Sequence, residues 1–248
     1  MKGFMPSSHN LSRKPLPLLP QCGVCKLNLQ CLSPTMGVDG KGKRGILVVG
    51  EAPGKNEDDQ NRPFVGDSGD LLKGTLREFD IDLRRDCWVT NAVICRPPKN
   101  KLPKKAIDFC RPNVVRTIKE LNPTTIILLG GTAVRSVLNW LWKEDVRDIT
   151  RWVGWQIPYQ RLNCWICPTW HPSHLLRTDN GRGMDKAMTK LFKEHLSSAC
   201  SLSDRPWRNV PDYKSKVEVI LNPDYAAKRL RQYADAGNPV AWDLETDR

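Results

Sequence analysis

The sequence predicts an α/β fold of three layers, with helices on both faces of a central, mostly parallel, four-stranded sheet. Two observations carry that prediction. Four short apolar runs, at 46–49, 87–90, 125–129 and 163–168, have the length and character of buried strands. Longer stretches with apolar residues at helical spacing lie between them. Strands that alternate with helices build a parallel sheet covered on both faces.

The elements follow in order. Residues 1–20 are polar and proline-rich and read as a disordered arm before a domain at 21–200. The arm lacks the apolar core of a secretory signal. Ser33–Arg44 is turn-rich and leads into the first strand, which ends at Gly50. Glu51 stands at the carboxyl end of that strand, and Pro53 and Gly54 force a turn after it. Ligands of open α/β sheets bind beyond the carboxyl ends of strands, so Glu51 is placed for chemistry. Phe64, between Pro63 and Val65, lies on a constrained loop. Asp67-Ser68 can cap a helix reaching Phe79, with Leu71, Leu72, Leu76 and Phe79 on one face. Asn91 ends the second strand, and Cys95 opens a proline-rich loop. Residues 104–121 read as a helix that carries Cys110. Gly130-Gly131 turns the third strand into a helix from Thr132 to Trp142. Residues 152–162 have no clear period, with pieces of strand near Val153–Pro158. The fourth strand ends in a loop around His171, and a helix over 182–198 closes the domain.

Residues 201–216 are polar and read as a linker. A new unit is expected at 217–248: a strand at Val217–Leu221, a helix at Pro223–Ala236, and a strand at Val240–Leu244. It reads as the truncated start of a further domain.

The chain has 248 residues, 40% of them apolar, enough for a full core. Its net charge of +12 points to a polyanionic partner, most simply nucleic acid. No apolar run approaches the ~18 residues of a membrane span. The expectation is a soluble cytoplasmic protein. Nine cysteines in such a chain point to metal rather than disulfides. Cys22 and Cys25 form a C-x2-C pair, and with Cys95 and Cys110 they can close on one centre. Zinc and a 4Fe–4S cluster both accept four cysteines, and spacing does not choose between them. Cys31 is a spare ligand. Cys164 and Cys167 form a second C-x2-C, but residues i and i+3 of a strand face opposite ways and cannot chelate together. Cys87 and Cys200 read as buried or incidental thiols.

Four motifs, GEAPG at 50–54 with Glu57-Asp58 after it, RPFVG at 62–66, TNAVICRPP at 90–98 and HPSHLLR at 171–177, occur in the right order. With the cysteine pattern, they make residues 20–200 resemble a family-four uracil-DNA glycosylase. The loop before Phe64 reads Gln60-Asn61-Arg62 where that family usually has a glycine before the basic residue, and Cys31 is extra. The resemblance implies a uracil-DNA glycosylase fold and the excision of uracil from DNA as the activity. It also implies a 4Fe–4S cluster on Cys22, Cys25, Cys95 and Cys110. The terminal AWDLETDR is similar to the first acidic motif of a DnaQ-like 3′→5′ exonuclease, as in family A DNA polymerases. Asp243 and Glu245 would then be ligands of a divalent metal such as magnesium on an RNase H-like domain. The expected assembly is a monomeric glycosylase domain tethered to a polymerase or exonuclease.

A glycosylase must take the base out of the stack before it cuts the N–C1′ bond. Phe64 can stack on the flipped base. Asn91 offers a donor and an acceptor that match uracil O4 and N3–H and mismatch cytosine. His171 can donate to O2 as negative charge develops on the leaving base. Glu51 can orient or deprotonate the attacking water. Gly50, Ala52 and Ser173 complete the expected substrate pocket. Pro172, Leu175, Leu176 and Arg177 are expected to face DNA, the leucines as a wedge and Arg177 on phosphate. His9, His174 and His195 read as structural or exposed. The competing class is a non-catalytic sensor of uracil or DNA that keeps the fold without cleavage, and intact Glu51, Asn91 and His171 favour the enzyme.

Overall fold

The computed structural model describes residues 22–142, 146–177, 186–202, 204–207 and 218–237. The arm at 1–20 and the expected metal ligands Asp243 and Glu245 lie outside them. The chain divides into two units, 1–208 and 209–248.

The first unit is built on a sheet of five strands rather than four. They are β1 (Ile46–Gly50), β2 (Cys87–Asn91), β3 (Thr125–Leu129), β4 (Ile157–Tyr159) and β5 (Cys164–Thr169), in the order β2-β1-β3-β5-β4. β1, β2, β3 and β5 are parallel, and β4 pairs antiparallel to β5. β4 is the strand that the ambiguous stretch concealed. It has three residues, too few to show a period, and Pro158 at its centre is tolerated because β4 lies at the sheet edge.

Seven α-helices are present among the described residues, six of them in this unit. They are α1 (Lys55–Gln60), α2 (Asp67–Arg77), α3 (Lys104–Leu121), α4 (Gly130–Trp142), α5 (Pro172–Arg177) and α6 (Lys186–Cys200). α1 and α5 fall where the sequence reads as loop. α2 is capped by Gly66 in extended conformation rather than by Asp67-Ser68, and it ends two residues before Phe79. α4 starts at Gly130 itself.

The parallel strands contribute alternate residues to two cores. Leu47, Val49, Ile126, Leu128 and Ile166 pack with α3 and α4 on one face. Ile46, Val48, Ile127 and Leu129 pack with α2 and α6 on the other. Cys164 and Cys167 fall into opposite cores, as their strand spacing requires. The register aligns the carboxyl ends, with Gly50 beside Asn91 and Leu129 beside Thr169. The chain leaves β1 toward β2 on one side and later returns to add β3 on the other. Such a reversal opens a crevice at the carboxyl edge.

Part of the expected linker belongs to this unit. Arg205 donates to the Asn163 and Asn122 carbonyls at 2.9 and 2.7 Å, and the Trp207 N–H donates to Asn163 Oδ1 at 3.0 Å.

In the second unit, α7 (Pro223–Asp235) starts at Asn222, whose Oδ1 accepts from the Tyr225 N–H at 2.9 Å. Residues 218–222 form no strand, which corrects the expectation of one at Val217–Leu221. Glu218 instead pairs with Arg229 at 2.9 Å, a contact made from the side of the helix. The strand expected at Val240–Leu244 lies outside the described residues.

Candidate active site

The carboxyl edge of the sheet holds a cleft of about 220 Å³. Glu51 and Ala52 line it from the end of β1, Asn91 from β2, and His171, Ser173 and Arg177 from the segment after β5. Phe64 closes one side, and Pro97 and Asn100 of the loop after β2 close another.

Glu51 is half-buried, and its Oε2 accepts a hydrogen bond from Thr132 Oγ1 at 2.9 Å. Thr132 is buried in the first turn of α4, so this bond joins the end of β1 to the start of the helix after β3. Glu51 is thereby held across the crevice. Thr132 has no role in the sequence reading. Its one signal was a hydroxyl residue just after the Gly130-Gly131 strand end.

Asn91 is only 5% exposed. A Cβ on Gly50 would lie 2.4 Å from Asn91 Oδ1 and 2.5 Å from Phe64 Cζ. Only glycine lets the amide and the ring approach each other over that strand end.

Phe64 has φ 56°, a left-handed conformation that is strained for a bulky residue. The strain is held from two sides. Arg84 donates to the carbonyls of Pro63 and Phe64 and pairs with Asp39. Glu57 accepts from the backbone N–H groups of Gly54, Val65 and Gly66 at 3.0, 3.1 and 3.0 Å. One carboxylate thus ties the Glu51 turn to the Phe64 loop. The signal for Glu57 was an acid three residues after the Gly54 cap, the pattern of a capping box. The Phe64 ring lies 6.2 Å from that of His171, with planes 29° apart.

His171 packs against Gly130, whose φ of +88° leaves room for it. A Cβ there would come within 2.9 Å of His171 Cβ. His171 Nδ1 accepts from the Ser173 N–H at 3.1 Å and lies 2.8 Å from Ser173 Oγ. Arg177 donates to Ser173 Oγ at 2.9 Å and to the Ser173 carbonyl at 3.1 Å. Burial pushes the His171 pKa below its ordinary value; Glu51 and Glu57 oppose this and Arg177 adds to it. The ring is neutral near pH 7. With Nδ1 accepting a backbone N–H, its one proton sits on Nε2.

The two leucines after His171 separate. Leu175 is buried in the core with Phe192 and Leu196, and Leu176 is exposed. Adjacent residues of a helix point about 100° apart, so α5 turns one inward and one outward. The burial of Leu175 removes it from the expected two-leucine wedge and leaves Leu176 as the exposed one of the pair. Pro172 is also buried. His174 stacks on Trp170, with ring centroids 5.5 Å apart, and His195 Nδ1 lies 3.1 Å from Thr169 Oγ1.

A second constellation lies away from the cleft. Cys22, Cys25, Cys95 and Cys110 line one small apolar cavity with Val93, Ile94 and Phe109. Two backbone groups donate to sulfur there: Thr35 N–H to Cys95 Sγ at 3.3 Å and Ile94 N–H to Cys110 Sγ at 3.4 Å. Burial pushes the Cys110 thiol up to about 11 and the Cys95 thiol higher still. Four thiols around an apolar cavity, two of them accepting from backbone N–H groups, fit a group that binds thiolates and supplies positive charge. Among the described residues no group of three or more His, Cys, Asp or Glu side chains could hold a single metal ion. Cys31 stands beside Cys95 and Asp58, outside the cavity lining. Asp58 accepts from the N–H groups of Leu32 and Ser33 at 3.1 and 2.8 Å, so α1 joins the cysteine segment to the cleft.

Glu, Asn, Phe and His side chains gathered at the carboxyl edge of a covered, mostly parallel sheet define the class: an α/β enzyme with its cleft at that edge. Residues 39–196 match the family model of the uracil DNA glycosylase superfamily, and the chain belongs to that superfamily. It is 33% identical to a type-4 uracil-DNA glycosylase of Pyrobaculum aerophilum, over 67% of this chain and 85% of that protein. Identity is 34% to the type-4 uracil-DNA glycosylase of Sulfurisphaera tokodaii, over 77% and 84%. For that of Thermotoga maritima it is 37%, over 63% and 79%. Among the described residues no helix is long and apolar enough to cross a membrane.

Proposed function

We propose that this chain is a uracil-DNA glycosylase that hydrolyses the N-glycosidic bond of uracil flipped out of DNA. The observation that carries the reading is the meeting of Glu51, Phe64, Asn91 and His171 in one cleft. Phe64 stacks on the base. Asn91 donates to O4 and accepts from N3–H, the pattern of uracil and not of cytosine. As the N1–C1′ bond breaks, its electron pair leaves with the base. His171 Nε2–H donates to O2, where part of that charge collects. Glu51, held by Thr132, orients the water whose oxygen bonds to C1′ and takes up its proton. A neutral His171 suits the donor role because, unlike a cation, it adds little to the binding of ground-state DNA and acts on the charge that develops at O2.

Cys22, Cys25, Cys95 and Cys110 would hold the 4Fe–4S cluster that the resemblance implies. Bound there, it supplies structural cross-linking of the 22–31 segment to the 95–110 segment, and no electron transfer is assigned to it. Residues 217–248 are read as the start of a 3′→5′ exonuclease domain, with magnesium on Asp243 and Glu245. That reading rests on the D-x-E motif in the sequence; with it the glycosylase would be tethered to a polymerase or exonuclease.

The test is base release from matched strands carrying one uracil or one cytosine. Free uracil and an abasic site are expected from the first only. Asn91→Asp, which replaces the donor facing O4 by an acceptor, should slow uracil release and favour the amino group of cytosine. Equal release of uracil by Asn91→Asp and the parent would remove Asn91 as the reader.

A further inference from the structure

A second pocket, larger than the cleft at the carboxyl edge, lies apart from it. It has a volume of about 450 Å³ and lies between α3 and α4, walled by Lys104, Arg111, Arg135, Arg147, Asp108 and Asp148. Ile107 is buried and gives it an apolar floor. Four cations face two carboxylates, and both carboxylates are engaged. Asp108 holds Arg111 Nη2 at 2.7 Å, and Asp148 Oδ1 accepts from the Thr150 N–H at 2.8 Å. Arg111 Nε also donates to the Ser136 carbonyl at 2.9 Å, so its guanidinium is fixed between the two helices. The wall formed by 146–148 is anchored through the Val146 N–H, which donates to Asn139 Oδ1 at 3.3 Å.

The place of the pocket in the fold gives it a direction. α3 and α4 each follow a parallel strand, so both begin at the carboxyl edge and run away from it side by side. Lys104 opens α3 four residues after Asn100, which lines the catalytic cleft. Arg135 lies one turn along α4 from Thr132, which holds Glu51. The groove therefore starts beside the cleft and carries its cations along the next turns of both helices.

We propose that this groove is a second DNA subsite, which takes a backbone phosphate of the uracil-bearing strand beyond the flipped nucleotide. With Arg111 committed to Asp108 and the Ser136 carbonyl, the lining still carries more cations than carboxylates, and the exposed Lys104 and Arg135 suit a phosphodiester. The apolar floor suits the sugar. The inference rests on the uracil-DNA reading, and a binding measurement that needs no excision tests it separately.

The experiment uses the full chain and oligonucleotides that carry one uracil and grow a nucleotide at a time on either side of it. Lys104→Ala with Arg135→Ala is the variant, because both side chains are exposed and Arg111, which braces the helices, stays. Affinity is measured against salt on strands with a non-hydrolysable uracil nucleotide. Beyond a threshold length on one side, the variant should bind more weakly. Its salt slope on single strands should fall by about 0.7 for each phosphate that the variant no longer neutralises. Below that length variant and parent should bind alike, and single-turnover excision at saturating strand should be unchanged. An equal loss at every length would mean a diffuse field effect and overturn the subsite, as would no loss at any length. Inorganic pyrophosphate is the second probe. If it binds the pocket in the parent but competes with no strand, the pocket serves a free phosphate ligand and the DNA subsite is wrong. Failure of the parent to release uracil would count against the function, not against the length dependence.

Discussion

At the scale of single residues, the cleft depends on side chains held by others. Thr132 holds Glu51, and the carboxylate acts only as well as it is aimed. Thr132→Val keeps the shape and removes the hydroxyl. Losing a hydrogen bond to a charged group typically costs about 1.5–3 kcal/mol, or roughly tenfold or more in rate. The expected outcome is a lower kcat with KM little changed, and recovery in Thr132→Ser. A KM effect without a kcat effect would mean that Thr132 merely shapes the pocket. His171 gives a pH prediction. Burial depresses its pKa, so it stays neutral as pH falls through the ordinary histidine value of about 6.5, and protonates only below that. A pH profile of single-turnover excision should show no histidine break near 6.5; the loss due to His171 should come at lower pH. A break at the ordinary value would contradict the neutral donor. Glu51, Phe64, Asn91 and His171 were all legible in the sequence, because each follows a strand end or sits on a proline-stiffened loop. Thr132 was not, because its partner lies far away in the sequence; the spacing after Gly54 marked Glu57 as a capping acid but not its bonds to the Val65 and Gly66 N–H groups, which leave no pattern of side chains to read.

At the scale of elements, α1 is the joint of the site. One of its faces binds the Phe64 loop through Glu57, and the next residue, Asp58, binds the cysteine segment. Glu57→Ala would leave three backbone donors without their carboxylate, and each one that stays buried and unpaired costs about 1–3 kcal/mol. The expected result is a lower denaturant midpoint together with slower excision, since Phe64 would no longer be held at positive φ. Unchanged excision in a destabilised protein would show that the Phe64 conformation does not depend on Glu57. The long elements were readable from period alone: α3 spans Lys104–Leu121 as its apolar spacing requires. The short ones were not. α1 and α5 have six residues each, and β4 has three, so tertiary contacts decide them. The buried Leu175 follows from the same limit, since without α5 both leucines look like loop residues.

At the scale of the whole molecule, two constellations share one fold: the cleft at the carboxyl edge and the four-cysteine cavity away from it. Purified protein should carry iron, and replacing Cys22, Cys25, Cys95 or Cys110 by serine should remove it. Cys31→Ser should leave iron content and the visible absorption unchanged, because Cys31 lies outside the cavity lining. Stoichiometric zinc without iron, or iron lost with Cys31, would overturn the assignment. The net charge of +12 suits a DNA partner but does not locate the contact; the placement of Lys104, Arg111, Arg135 and Arg147 in one groove does so only once the fold is known. In the proposed mechanism Glu51 drives uracil release. This role is tested most directly by the single-turnover rate of abasic-site formation in a uracil-containing strand, measured for the parent and for Glu51→Gln at saturating protein. The parent should convert the strand. Glu51→Gln should bind it as tightly and convert it roughly a hundredfold more slowly, a loss of about 3 kcal/mol in transition-state stabilisation. A parent that forms no abasic sites, or a Glu51→Gln variant as fast as the parent, would contradict the account.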